Sequence, residues 1–184
     1  MVASLIHAER PLLGFAAPSG TGKTTLLCQL IPILRDAGIR VGLIKHAHHA
    51  FEVDQPGKDS YALRKAGACP VMITSMNRRV ILFDHSTPQD PDLQQELSFL
   101  DVRDLDLILV EGFKHERFPK IELYRQAVGA PLQFPEDPSI IAIATDHPFS
   151  EPPRIPVLDL NNPGAVGRFV SDIYLPQARH ERGV

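Results

Sequence analysis

The apolar positions of this chain fall into short runs separated by stripes at helical spacing. Residues 11–16 form a continuous apolar run of the length of a buried strand. Leu26, Leu27, Leu30, Ile31, Ile33, Leu34 and Ala37 then recur three and four residues apart, as on one face of a helix. Gly38 is placed to end that helix, and Pro32 removes one of its internal N–H donors and predicts a bend. Further apolar runs at 39–45, 71–74, 80–83, 105–110, 121–124 and 140–144 read as strands, and 60–66, 91–100 and 164–173 read as helices. Such alternation predicts an α/β fold of three layers, with helices on the faces of a mostly parallel sheet. The runs at 71–74 and 80–83 are joined by a short polar segment and predict an antiparallel hairpin attached to that sheet, making it mixed. Residues 130–138 and 147–156 are Pro-rich loops. The reading is one domain over residues 1–175, followed by a polar, disordered tail at 176–184.

The junction between the first strand and the first helix carries the chemistry. Ala17-Pro18-Ser19-Gly20-Thr21-Gly22-Lys23-Thr24 is the phosphate-binding loop pattern with Ala in place of its first Gly. Gly20 and Gly22 let the backbone turn so that successive N–H groups face phosphate oxygens. Lys23 brings a point charge to the β- and γ-phosphates, Thr24 offers a hydroxyl to Mg²⁺, and the helix that starts here aims the positive end of its dipole at the same anion. Strand, loop and helix in this order predict a P-loop NTPase-like fold that binds a nucleoside triphosphate.

Composition narrows the partners. A chain of 184 residues with 43% hydrophobic and 22% charged residues is the size and make-up of one globular domain. Its net charge of −3 gives no electrostatic reason to expect nucleic acid. No run approaches the ~20 apolar residues of a membrane span, and no cationic leader with an apolar core opens the chain, so a cytoplasmic protein is expected. Cys28 and Cys69 are expected to be buried, reduced thiols.

Two further clusters bear on the phosphate site. The apolar strand 107–110 ends in Glu111-Gly112, the arrangement by which P-loop proteins set a carboxylate beside Mg²⁺ or its waters, and Gly112 allows close approach to a γ-phosphate. The alternative reading of Glu111 is an exposed acid opening a loop. After the second strand, residues 45–60 concentrate Lys45, His46, His48, His49, Asp54, Lys58 and Asp59. Adjacent His48 and His49 cannot easily share one ion and no Cys stands at zinc spacing, which favours a switch-like loop over a zinc site. That loop would bring Asp54 or Asp59 to Mg²⁺ and Lys45 or Lys58 to phosphate; a solvated loop is the other possibility.

The phosphate loop, Ile-Lys-His-x-His-His at 44–49, Asp-x-Pro-Gly-Lys-Asp-Ser at 54–60, Ala-Gly-Ala at 66–68 and Leu-Val-Glu-Gly-Phe-Lys at 109–114 together resemble the molybdopterin-guanine dinucleotide biosynthesis protein B family. The resemblance covers roughly residues 11–125 and continues more weakly through 141–146. It implies a GTP-binding, weakly GTP-hydrolysing, Mg²⁺-dependent homodimer that assists a separate guanylyltransferase in attaching GMP to molybdopterin. It also implies that residues 20–25, Thr25 included, bind phosphate, that Thr24 and Glu111 lie near Mg²⁺, and that Asp54 and Asp59 belong to a conformational segment with catalytic consequence. No Asn-Lys-x-Asp run reads the guanine; Asp146, after the strand at 140–144, is either an acceptor for the guanine N1 and N2 donors or a turn-starting residue. A P-loop small-molecule kinase and a metallochaperone GTPase are the competing readings. Arg78, Arg79 and Arg117 form no obvious kinase lid. The arginines at 78 and 79 are suited either to phosphate or simply to water.

Overall fold

The run after Pro11 forms β1 (Leu12–Ala16), in which every residue is buried. A strand apolar on both faces needs cover on both, and β1 takes an interior place in a sheet. The protein is described by a computed structural model covering residues 6–47 and 51–183. In chain order its further elements are α1 (Lys23–Asp36), β2 (Val41–Lys45), α2 (Asp59–Lys65), β3 (Val71–Thr74), β4 (Arg79–Leu82), α3 (Leu93–Phe99), β5 (Leu107–Glu111), β6 (Lys120–Tyr124), β7 (Ile140–Thr145), β8 (Val157–Asp159), α4 (Pro163–Arg168) and α5 (Leu175–His180). The six-stranded sheet runs β2-β5-β1-β6-β7-β8, and each of its pairings is parallel. β3 and β4 pair antiparallel as predicted, but as a two-stranded sheet of their own and not as an extension of the larger one. The expected α/β class with a mostly parallel sheet and an antiparallel pair is what the chain adopts.

The chain divides into two compact units, one made of Met1–His46 with Asp92–Val184 and the other of Ala47–Pro91. In the first, alternate residues of the strands feed two cores. Leu13, Phe15, Leu107, Leu109, Ile121 and Leu123 pack with Leu27, Leu30 and Leu34 of α1 and with Val166 and Phe169. Leu12, Ile108 and Val110 face the other way, onto Leu93 and Leu97 of α3 and onto Phe113 and Phe118. The period of two along each strand is what divides the two sets. In the second unit, α2 and the β3–β4 pair leave Leu63, Met72, Ile81 and Phe83 exposed.

Four buried leucines of α1, Leu26, Leu27, Leu30 and Leu34, contribute roughly 6–12 kcal/mol of burial. That outweighs the ~3 kcal/mol a proline costs in a helix, and α1 runs without interruption through Pro32. Its end follows the sequence: Gly38 has φ +80°, its N–H donates to the Arg35 carbonyl, and the Ile39 N–H donates to that of Leu34. The cysteines do not follow it, since both are exposed free thiols. Cys28 sits beside Leu27 but outside the apolar stripe, so the helical period that buries its neighbours turns it to solvent. The closing helical segment also runs further than its apolar pattern predicts. A π-helical stretch at Phe169–Tyr174 leads into α5, Leu175 is buried, the Tyr174 hydroxyl donates to the Leu12 carbonyl, and Arg182 donates to that of Ala8. Among the described residues no helix is long and apolar enough to cross a membrane.

β6 carries two buried charges that pin the loop behind it. Lys120 Nζ donates to the Glu116 carbonyl at 2.6 Å and to Ser139 Oγ at 2.9 Å, and pairs with Asp137 at 3.3 Å. Glu122 accepts from the Gln133 N–H at 2.7 Å and the Phe134 N–H at 2.9 Å. Burial raises the Glu122 carboxyl above its ordinary value, and the two N–H donors only partly offset this. A raised folded value means that the folded chain keeps its proton where the unfolded chain has lost it. The associated stability is therefore complete below the unfolded value near ~4.3 and is lost as pH rises through the folded value. Urea melts of the wild-type chain and Glu122→Gln between pH 4 and 7 should show the wild-type advantage shrinking as pH rises. A difference that grows with pH would contradict the burial of an ionisable group there.

Candidate phosphate-binding site

Residues 17–22 link the carboxyl end of β1 to the start of α1. Gly20 has φ +81° and Gly22, the residue before the helix, φ +96°, a region that side-chain-bearing residues rarely enter. The Thr21 hydroxyl donates to the Pro18 carbonyl at 3.0 Å and the residue is 1% exposed, so Thr21 shapes the loop from inside. Ser19, Gly20, Thr24 and Thr25 are exposed. No acidic residue stands in the first turn of α1, so the positive end of the helix dipole is left uncompensated by the helix itself. An anion fits such a terminus.

The strand register brings the charged residues together. Glu111, the last residue of β5, lies opposite Phe15 on one side and Lys45 on the other. Its Oε2 is 3.1 Å from Lys45 Nζ and its Oε1 is 3.9 Å from Lys23 Nζ. Two cations thus share one carboxylate at the end of the sheet where the loop opens. Lys45 is half exposed, and ion pairs of such side chains contribute about 1 kcal/mol or less, so Lys45 can exchange Glu111 for a phosphate at little cost. Next to them, Gly112 has φ +94° and Phe113 φ +51°. The His46 N–H donates to the Glu111 carbonyl at 2.8 Å, and the His46 and Phe113 rings lie 5.0 Å apart.

Among the described residues no group of three or more His, Cys, Asp or Glu is arranged to hold a metal. The Thr24 hydroxyl and Glu111 are a donor set suited to Mg²⁺ that arrives with phosphate oxygens and water, as a nucleotide brings it. Of the other predicted residues, some belong to the second unit, some lie outside the described residues and one is engaged within the first unit. Asp54 and Asp59 belong to the second unit. Asp54 is buried, its Oδ1 accepting from the Gln55 N–H and the Ser60 hydroxyl at 3.0 Å each, while its Oδ2 is buried with no hydrogen-bond partner. Asp59 is exposed in the first turn of α2, where a negative charge suits the helix end, and Lys58 precedes it. Of the histidine cluster, His48 and His49 lie outside the described residues. Arg78 and Arg79 are exposed at the β3–β4 turn. Asp146 has both oxygens engaged: Oδ2 pairs with Arg125 Nη1 at 3.0 Å and Oδ1 accepts from the Gln126 N–H at 3.0 Å.

Arg125 is a residue of the site that the sequence motifs do not single out. Its Nε also donates to the Thr21 carbonyl at 3.2 Å, so it joins the loop to Asp146 across the tops of three strands. The available signal was a basic residue directly after the apolar run at 121–124, at the sheet end where ligands bind.

A parallel sheet with a glycine-turned loop, a lysine opening the next helix and an acid on the neighbouring strand defines a P-loop NTPase-like protein. The family profile of MobB, molybdopterin guanine dinucleotide synthesis protein B, matches residues 12–146, and the chain belongs to that family. It is 49% identical over 161 residues to the molybdopterin-guanine dinucleotide biosynthesis adapter protein of Escherichia coli K12, covering 87% of this chain and 91% of that one. To the adapter protein of the same description from Haemophilus influenzae it is 41% identical, with 91% of each chain covered. Among solved structures, a molybdopterin-guanine biosynthesis protein B superposes with a TM-score of 0.69 at 23% identity, over 90% of this chain and 99% of that one. The MobB of Bacillus subtilis does so with a TM-score of 0.66 at 23% identity, over 88% and 96%. At these identities the structural likeness speaks for the fold.

Proposed function

We propose that this chain is an adapter in molybdopterin guanine dinucleotide biosynthesis that binds GTP with Mg²⁺, hydrolyses it slowly and assists a separate guanylyltransferase acting on molybdopterin. The observation that carries the nucleotide reading is the pair of positive-φ glycines, Gly20 and Gly22, opening a helix beside Lys23, Lys45 and Glu111. The adapter reading is supported by the family and by the adapter role of the 49% identical relative.

In this reading the loop N–H groups of residues 19–25 and the Lys23 ammonium hold the phosphates, and Lys45 leaves Glu111 to join them. Thr24 and Glu111 would hold Mg²⁺, which when bound neutralises charge on the transferring phosphoryl group. Glu111 orients the water that attacks, and Gly112 keeps a backbone N–H open to the γ-phosphate. Asp54, with its unpartnered buried oxygen, and Asp59 form the segment whose rearrangement reports the nucleotide state.

Binding of GTP, ATP and GDP with and without Mg²⁺ tests the nucleotide half: no GTP binding at micromolar protein would overturn it. Glu111→Gln should slow GTP hydrolysis by about 100-fold while changing GTP affinity no more than about threefold, since loss of charge with retention of shape affects water placement during transfer more than ground-state binding. Equal losses in both would make Glu111 an affinity determinant. The second copy of the chain is expected to pair through the β3–β4 unit, where Met72, Met76, Ile81 and Phe83 are exposed on an antiparallel pair with open edges. Sedimentation at micromolar concentration should therefore report a dimer, and a clean monomer of 20.4 kDa with and without GTP would defeat that part.

A further inference from the structure

A cavity of about 270 Å³ opens on the α1 side of the phosphate loop, lined by Gly22 and Thr25, by Gln29 one turn further along the helix, and by Arg125, Leu160 and Asn161. Two of its walls are residues of the phosphate loop. A molecule whose phosphates rest on the loop thus reaches this space directly. Its volume is just below the ~300–1,000 Å³ of pockets that enclose whole small ligands, which suits one planar ring system better than an entire nucleotide. The walls have the matching character, with Leu160 offering an apolar surface and Arg125 and Asn161 polar groups.

Arg125 is the group with donors to spare. A guanidinium has five N–H donors. Nε donates to the Thr21 carbonyl, Nη1 to Asp146 and Nη2 to Asn161 Oδ1 at 3.4 Å, which leaves one N–H on each Nη. Asp146, with its second oxygen on the Gln126 N–H, is committed to holding Arg125 in place. We propose that this cavity takes the base of the nucleotide whose phosphates bind the loop, and that Arg125, positioned by Asp146 and the Thr21 carbonyl, reads the six-position carbonyl and N7 of a purine. Guanine presents two acceptors along that edge. Adenine presents an amino donor where the carbonyl would be, and would set donor against donor. The proposal rests on the nucleotide reading above and adds the base site, which the sequence did not locate, and the residue that discriminates.

The test is equilibrium binding of GTP, ATP and inorganic triphosphate to the wild-type chain, Arg125→Gln and Gln29→Trp, each first checked for an unchanged melting temperature. The wild-type chain should prefer GTP to ATP by about 10- to 100-fold, as expected for one bidentate base contact. In Arg125→Gln that ratio should collapse or invert, because an amide side chain pairs with the adenine edge. The ratio cancels any effect on the loop from losing the Thr21 contact, which GTP and ATP share. Gln29→Trp, at an exposed position on the cavity wall, should weaken both nucleotides at least about tenfold and leave inorganic triphosphate within about twofold. A GTP to ATP ratio unchanged in Arg125→Gln removes Arg125 as the reader. Nucleotides that bind no tighter than inorganic triphosphate, or that Gln29→Trp leaves untouched, overturn the cavity as the base site while the phosphate loop stands. A wild-type chain that binds none of the three overturns both.

Discussion

Lys23→Ala is expected to lose GTP binding by at least about 100-fold while its circular dichroism and melting temperature stay near those of the wild-type chain. The side chain is the first of α1 and fills no part of either core; its ion pair with Glu111 is long at 3.9 Å, and Glu111 keeps Lys45 as a partner at 3.1 Å when Lys23 is truncated. Truncation therefore costs the folded chain little. For the ligand the loss is large, because a triphosphate brings several negative charges to a loop beside which Lys23 and Lys45 share Glu111. With Lys23 gone, Lys45 has Glu111 to itself and the site changes from a surplus of positive charge to balance. GTP affinity retained to within about threefold, with the fold intact, would remove the phosphate loop from the nucleotide reading.

Gly112→Ala is expected to be the most damaging single-methyl change near the site, costing about 3 kcal/mol and lowering the melting temperature by roughly 6–12 °C. Two costs coincide there. A φ of +94° lies in the region that side-chain-bearing residues adopt at about 1–2 kcal/mol. In addition an added Cβ would stand 2.7 Å from the His46 Cβ and 3.5 Å from the His46 backbone, and that backbone is fixed by its hydrogen bond to the Glu111 carbonyl. Gly20→Ala separates the two. Its φ of +81° carries the same conformational strain, but nothing lies within 4 Å of its added methyl, so the cost should be about 1 kcal/mol. Chemical denaturation of both variants checks the difference. Equal losses would mean that backbone strain alone governs both positions and that the approach of β2 to Gly112 is loose.

Much of this site is legible in the order of residues, and the reason is local. The phosphate loop is a contiguous run whose conformation is set by its own glycines, and Glu111 announces itself as the acid ending an apolar strand. The exposed cysteines show the limit: an apolar-looking residue inside a helix is buried or not according to where the stripe falls, and Cys28 is outside it. The hairpin shows another, since two adjacent β runs specify pairing with each other but say nothing of whether a larger sheet accepts them. Lys45 is placed near phosphate by its neighbours along the chain; its bond to Glu111 comes from a parallel register between strands more than sixty residues apart.

By itself, then, the sequence determined the α/β class, the loop that turns through Gly20 and Gly22, and the acid at the end of β5, because periodicity, glycine conformation and strand polarity are properties of neighbouring residues. Tertiary structure decided what meets across the sheet: the sharing of Glu111 by Lys23 and Lys45, the pairing of Asp146 with Arg125, and the cavity flanked by Gly22, Gln29 and Asn161. Those contacts join positions up to 139 residues apart in the chain (Gly22 to Asn161), and only the order β2-β5-β1-β6-β7-β8 brings their strand ends side by side.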